Sequence, residues 1–509
     1  MESGGPTAEG ELASVAAAEI DPSAGFLVQH AVTALRSSLE SLLEHVEALQ
    51  LHRYPASPVI PHVLEEIRWS IRRAVKRLES SDVSELFIGQ SGPDTVRGTS
   101  QLRAIQQRAS ALQSLHQFVL RLGRMAHEQR PPWLGEVLGS IISRHLPERS
   151  FGLLFEPQPA AIEYVYEEVR PDLDHWLAQF ALGDESALAR SRKLPNDILI
   201  LGYPAAEPQN VLLHPIFLHE VGHYVTKSLV REIVDHPGGA LPAFDDEEDD
   251  SFIQECLEIE FRWLWEVASD LFAARIAGPA YFFGLAHAFN LSCSLTDFGS
   301  AHPPAGLRLR VLRDLLDGVE GEPDSRCWVG LGGQLRDWLA EISDMIDVEL
   351  DDLPAVLRDQ EDRGSGYPYV RLYDRLVARV PAIRDAVVAC TAEHAYRLDA
   401  RSLDARSALV GQLLSDIPAN EYRVVKDGVV GDPCLSELAD ILNAGYEVLY
   451  NCDGDLLRRF VDADEGAIGD SAVLQAARAR TRKVLIKSFE LNHIQREFAR
   501  LRGGLEDER

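Results

Sequence analysis

The sequence predicts a mainly α chain with a small β component (α+β), and three observations carry that prediction. Apolar residues recur at helical spacing through the first third, β-branched and aromatic runs gather in one window, and helical patterns return from residue 306 onward. At 509 residues the chain is long enough for several domains and a large buried core. Its 46% hydrophobic and 26% charged residues are the balance of an ordinary globular protein.

The elements follow in chain order. Residues 1–24 are acidic and turn-rich, with neither a basic start nor a long apolar run, so they read as a disordered tail and not as a signal peptide. Residues 25–147 read as a helical domain of three or four antiparallel helices. Val32, Leu35, Leu39, Leu42, Val46 and Leu49 form one i, i+3, i+4 stripe, Val63, Leu64, Ile67, Ile71, Val75 and Leu78 a second, and Leu102, Ile105, Leu112, Leu115 and Val119 a third. From 148 to 204 the period changes. "LLFEP", "IEYVYEEV" and "DILILGYP" are strand-like runs bounded by Pro, Asn, Asp and Gly, the clearest being Asp197 to Gly202. They open a core region, 148–320, that continues into a helix after Pro215 and a long helix from about Phe252 to Ala277. Residues 321–509 read as mostly helical, with one hairpin at 421–433 whose turn is Asp427-Gly428.

Residues 276–296 run for 21 positions without a formal charge, the length of a membrane span, but Gly278, Pro279, His287 and Asn290 interrupt them. They read as a buried helix starting after Gly278-Pro279. Composition narrows the function. A formal charge of −30 repels a phosphate backbone and anionic lipid alike, so neither nucleic acid nor membrane is an expected partner. The basic helix RARTRKVLIK (478–487) and the acidic run DDEEDD (245–250) read as solvated surface. Six scattered cysteines without a C-x-x-C pair suit reduced thiols and a cytoplasmic location.

The chemistry is written between residues 213 and 230, LHPIFLHEVGHYVTKSLV. His219 and His223, four apart, share one helix face, so both imidazoles can reach one ion, and Glu220 projects beside it as a proton acceptor. Pro215 suits the first turn of that helix. Gly222 in mid-helix costs about 1 kcal/mol against alanine, which points to a neighbouring backbone in close approach. Chance alone produces HExxH in roughly one such chain in thirty, so the missing ligand decides. WLWEVASDLFAARIA (263–277) supplies it: Glu266 and Asp270 again share a face, with Glu266 as third ligand and Asp270 as acceptor for the far nitrogen of a ligating imidazole.

His219-Glu220-Val221-Gly222-His223 with Glu266-Val267-Ala268-Ser269-Asp270 resembles the gluzincins, a group of zinc metallopeptidases. SAHPPAGLRLRVL (300–312) is similar to the (S/T)-x-H-P-P…R…L segment of the branch holding CAAX-type and heat-shock membrane proteases, which also has soluble members. The resemblance covers roughly 195–312. It implies a zincin-like core for 148–320, one Zn²⁺ ion on His219, His223 and Glu266, and Glu220 as general base. It also implies His302 as a donor to the developing oxyanion, with Arg308 as its support. Asp297, five residues earlier, is placed to orient His302. Gluzincins commonly add substrate to an edge strand beside the active-site helix, and Asp197–Gly202 is the candidate here. A metzincin is excluded, because Thr226 and Leu229 stand where H-x-x-G-x-x-H needs Gly and His. The expected function is a zinc endopeptidase acting on a protein or peptide, with one specific intracellular protein as the expected target. The alternative is a catalytically silent scaffold of the same fold, and the intact Glu220 argues against it.

Overall fold

The computed structural model describes residues 22–51, 59–80, 94–126, 132–158, 164–181, 194–204, 211–235, 250–292, 295–318, 333–363, 367–396, 400–415, 418, 435–452 and 470–507. The expected tail up to residue 21, the acidic run at 245–249 and the expected hairpin at 421–433 lie outside the described residues. Among the described residues there are fourteen α-helices and one three-stranded sheet, so the chain is mainly α with a small β component. No described helix is long and apolar enough to cross a membrane.

The chain forms two compact units. The first comprises residues 1–128, 150–156 and 167–200. It holds α1 (Pro22–Gln50), α2 (Val59–Ser80), α3 (Asp94–Ala126) and α5 (Arg170–Ala181). The three apolar stripes meet here: Leu39, Leu42 and Val46 of α1, Val63, Ile67 and Ile71 of α2, and Leu115, Val119 and Leu122 of α3 share one core with Leu173 of α5. Helical periodicity builds this seam, and most charged residues keep to its rim, with Glu66 of α2 buried.

The second unit comprises residues 129–149, 157–166 and 201–509. It holds α4 (Pro132–His145), α6 (Ile216–Asp235), α7 (Asp250–Ala277), α8 (Pro279–Ser292), α9 (Ala305–Asp317), α10 (Gly333–Asp362), α11 (Tyr369–Thr391), α12 (Ala400–Leu414), α13 (Leu435–Asn451) and α14 (Asp470–Asp507). α7 is its hub, packed by α6, α8, α9, α11 and α13. From Trp263 to Ala277 nearly every side chain of α7 is buried, which an amphipathic surface helix could not sustain. At its end Gly278 takes φ 63°, a left-handed turn closed to most side chains, and Pro279 starts α8. The charge-free stretch is thus the buried helix that its interruptions indicate, with Tyr281, Phe282 and Phe283 fully buried.

The sheet consists of β1 (Phe151–Gln158), β2 (Val165–Glu168) and β3 (Asp197–Pro204), in the order β1-β3-β2. This corrects one expectation. The strand at Asp197–Gly202 is central, with a neighbour along each side, and cannot receive an added strand. The reason is written in its burial: seven of its eight residues, Ile198 to Pro204, are buried, as a strand covered on all sides requires. β2 is an edge instead.

Candidate metal centre

α6 and α7 run against each other at unusually close range, and Gly222 explains how. A Cβ there would lie 2.9 Å from both Cα and the carbonyl oxygen of Ser269, so only glycine lets the two backbones meet. That is the close approach that the mid-helix glycine predicts. Trp265 Nε1 donates to the His223 carbonyl at 2.7 Å and fixes the register of the pair.

This register brings His219, His223 and Glu266 together, each offering one ligand atom within 4.8 Å of the others. His219 Nε2 stands 3.3 Å from Glu266 Oε2, and His223 Nε2 stands 3.2 Å from Glu266 Oε1. Bonds near 2.0–2.1 Å to a tetrahedral ion set its ligands about 3.3–3.4 Å apart, so the spacing fits. The hydrogen bonding fits as well. Glu266 Oε2 is buried and makes no hydrogen bond of good geometry, its nearest charged neighbour being Arg308 Nη1 at 3.1 Å.

The far sides of both imidazoles are occupied. His219 Nδ1 lies 2.8 Å from Asp270 Oδ1, the contact that the Glu-x-x-x-Asp spacing implies. His223 Nδ1 lies 3.1 Å from Ser269 Oγ, whose own proton goes to the Trp265 carbonyl at 2.8 Å. A hydroxyl donating there must accept from the imidazole. Both rings therefore carry hydrogen on Nδ1 and turn Nε2 toward the site, the atom from which an ion would displace the second proton of the His219 cation.

The electrostatics of the pocket show a want of positive charge. Burial disfavours the His219 cation, yet the Asp270 and Glu266 carboxylates carry its pKa up to about 10. An ion binding there must displace that proton. Burial would raise Glu266, but Arg308 and the two imidazoles hold it well below the usual carboxylate range. Asp270 falls to about 2, where burial is outweighed by Arg308 and His219. Glu220 goes the other way. It is buried at 5% exposure, and burial, reinforced by Glu266, lifts its pKa against the pull of His219, His223 and Arg308. A carboxylate raised in this way is suited to accepting and returning a proton.

Arg308 clamps the acids: Nε to Asp270 Oδ2 at 2.6 Å, Nη2 to Asp270 Oδ1 at 2.8 Å, and Nη1 at 3.1 Å from Glu266 Oε2. The cause is the first turn of α9, which buries Arg308 beside two carboxylates that would otherwise be uncompensated. His302 stands at the solvent side of the ligands, 59% exposed, with Nε2 3.7 Å from Glu266 Oε1. Its loop is held by Trp263 Nε1 donating to the Gly299 carbonyl and Gly299 N–H donating to the His302 carbonyl. Asp297 belongs to the same loop, tied through its carbonyl, which accepts from Ala305 N–H at 3.3 Å.

Two residues at the site escaped the sequence reading. Ser269, described above, is one. Tyr281 of α8 is the other: its hydroxyl donates to Asp270 Oδ1 and lies 3.3 Å from His219 Nδ1. Burial and the Asp270 carboxylate push its pKa well above 10, so it remains a neutral donor. Around the ligands, Tyr166 of β2 stacks on His223 at 5.8 Å and Tyr164 meets Phe217 of α6 edge-on at 5.1 Å. β2 and β3 both border α6, for Tyr203 of β3 also meets Phe217, at 5.9 Å. No family model matches the chain, nor does any curated protein or solved structure.

Proposed function

We propose that the protein is a zinc metallopeptidase hydrolysing peptide bonds of a protein or peptide substrate. The observation that carries this reading is the convergence of two oriented imidazoles and one carboxylate with a buried fourth group, Glu220, whose proton affinity is raised. Two nitrogens and one oxygen at tetrahedral spacing are a donor set that suits zinc and leaves an open position. Zinc held there supplies Lewis acidity, lowering the pKa of a water toward ~7 and polarising a carbonyl.

The remaining work falls to the chain. Glu220 accepts the proton of the attacking water and returns it to the departing amine. Asp270, Tyr281 and Ser269 keep the two imidazoles in the tautomer that ligates. Arg308 balances the acids without occupying the open side. His302, exposed at the mouth, is placed to donate to an oxygen on which charge develops. β2, an edge of the sheet among the described residues, can receive an extended peptide by strand addition.

Glu220→Gln tests the reading, because it removes the base and none of the ligands. The variant should keep one zinc per chain by elemental analysis while peptide hydrolysis falls by about 10²–10⁴. A wild-type protein that binds no zinc, or a Glu220→Gln variant with undiminished hydrolysis, would overturn the proposal. Zinc binding without hydrolysis in either form would favour the silent scaffold.

A further inference from the structure

The row of α6 that carries the ligands does not stop at them. His219, His223, Lys227 and Arg231 follow one another at i+4 steps on a single face, so the metal row continues into two cations. α7 runs in the opposite sense alongside. Its row Asp270-Glu266 continues at i−4 into Arg262, and Trp265 and Phe261 form the neighbouring row. The rows meet in register: Lys227 Nζ lies 5.5 Å from the Trp265 ring centre, and the Arg231 guanidinium lies 5.5 Å from that of Phe261. Trp265 in turn contacts His223 at 4.8 Å and Tyr166 of β2 at 6.2 Å. A half-exposed strip of aromatic faces and cations therefore begins at a metal ligand and runs outward along the α6–α7 seam.

Such a strip is out of character for a chain with a formal charge of −30. At physiological ionic strength the screening length is about 8 Å, so a bound segment responds to the charges along the strip more than to those beyond it. Seating on aromatic rings holds Lys227 and Arg231 in place, reducing the freedom lost when they meet an anion. Arg262 is steadied at the near end, with Nη1 donating to the Ser300 carbonyl at 3.4 Å beside His302. Glu232 on α6 and Glu258 on α7 bound the basic stretch. From His223 to Arg231 the helix rises about 12 Å, the length of three to four residues of extended peptide.

We propose that this strip is a substrate groove selecting a peptide segment with acidic side chains two to four residues from the cleaved bond. The proposal rests on the peptidase reading but concerns residues that take no part in holding zinc or moving the proton. Its test uses internally quenched peptides with a randomised apolar centre flanked by a block of glutamates, glutamines or lysines. Zinc-loaded wild type and Lys227→Glu/Arg231→Glu are compared for cleavage, and the same pair in a Glu220→Gln background for binding.

Wild type should show a KM about tenfold lower for the glutamate peptides than for the glutamine ones, with similar kcat. The double reversal should invert that order in favour of lysine at unchanged zinc content. Equal KM across the three peptide sets, or an order that the reversal leaves intact, would overturn the groove while leaving the peptidase standing. If nothing is cleaved but Glu220→Gln binds glutamate peptides and the reversal abolishes it, the groove stands and the peptidase falls. Neither cleavage nor charge-dependent binding would overturn both.

Discussion

α1 and α2 in the first unit and α6 and α7 in the second are both packed helix pairs, and they treat charge in opposite ways. Between α1 and α2 the seam is apolar apart from Glu66 and Ser70, and ion pairs such as Arg36–Glu79 and Arg72–Glu47 stand at the rim with 40–54% of each side chain exposed. Between α6 and α7 the seam itself is ionisable: His219, Glu220, His223, Glu266 and Asp270 are all buried, with Arg308 driven in from α9. Helix packing does not call for so many, since the α1–α2 pair closes with Glu66 as its one buried carboxylate among the described residues. Each one costs desolvation, so their concentration in one seam is explained by chemistry and not by stability.

The largest way to break this comparison is to remove one cation from each pair. Arg308→Met leaves Asp270 without its two-bond partner and Glu266 without its nearest cation. Metal-free protein should lose about 3–5 kcal/mol of unfolding free energy by denaturant titration, the cost of an uncompensated buried charge. Arg72→Met between α1 and α2 should cost under about 1 kcal/mol, because its partner remains in water. Equal small losses would mean that the buried acids find their compensation elsewhere, and the contrast between the pairs would fail.

A finer test stays inside the α6–α7 seam and asks whether its two imidazoles are equivalent. His219 leans on the charged Asp270 and His223 on the neutral Ser269 hydroxyl. Asp270→Ala should therefore lower zinc affinity by about 10–100-fold, measured by chelator competition. Ser269→Ala should cost less, within about tenfold, because only tautomer control is lost and no charge is removed. A larger loss at Ser269 would reverse the assignment of which ring depends more on its support.

The same contrast decides what the sequence could reveal. The apolar stripes of α1, α2 and α3 were legible because helical packing repeats one local period, and they lie in the core as spaced. His219 to His223 and Glu266 to Asp270 were legible for the same reason, each pair being set by one helix turn. What joins the turns is tertiary. Nothing local to Arg308 says that its guanidinium reaches Asp270. Nothing local to Tyr281 says that its hydroxyl meets Asp270, since it lies in a charge-free run whose period reads only as buried. Ser269 had a signal that could have found it: it lies inside the Glu-x-x-x-Asp segment, and Gly222 indicated that some backbone must approach the metal helix. The order of the sheet was equally hidden, because strand pattern reports burial and not neighbours, so the buried run at Asp197–Gly202 passed for an edge. The hairpin expected at 421–433 lies outside the described residues.

The smallest expected effect comes from a buried histidine away from the metal, and it separates the ionisable seam from ordinary burial by pH. His145 ends α4, edge-on to Phe272 at 5.1 Å and to His394 at 5.5 Å. Its Nε2 is buried without a hydrogen-bond partner. Burial lowers its pKa from 6.5 to about 4, aided by His394 and Arg144 and opposed by a bond to the Cys390 carbonyl. A base whose folded pKa is depressed is held neutral by the fold, so its contribution is complete above pH 6.5 and is lost as pH falls toward 4. The ring is partly exposed, so solvent screening limits that loss to the order of 1 kcal/mol. Asp270 acts in a lower window: with a folded pKa of about 2 against 3.8, its contribution is lost only as pH falls from 3.8 through 2. His145→Asn keeps a donor for the Cys390 carbonyl while removing the titrating nitrogen. Unfolding free energy measured against pH should fall between 6.5 and 4 more steeply in wild type than in His145→Asn, and the two curves should run parallel below pH 4. Parallel curves throughout would show that His145 titrates alike in the folded and unfolded chain.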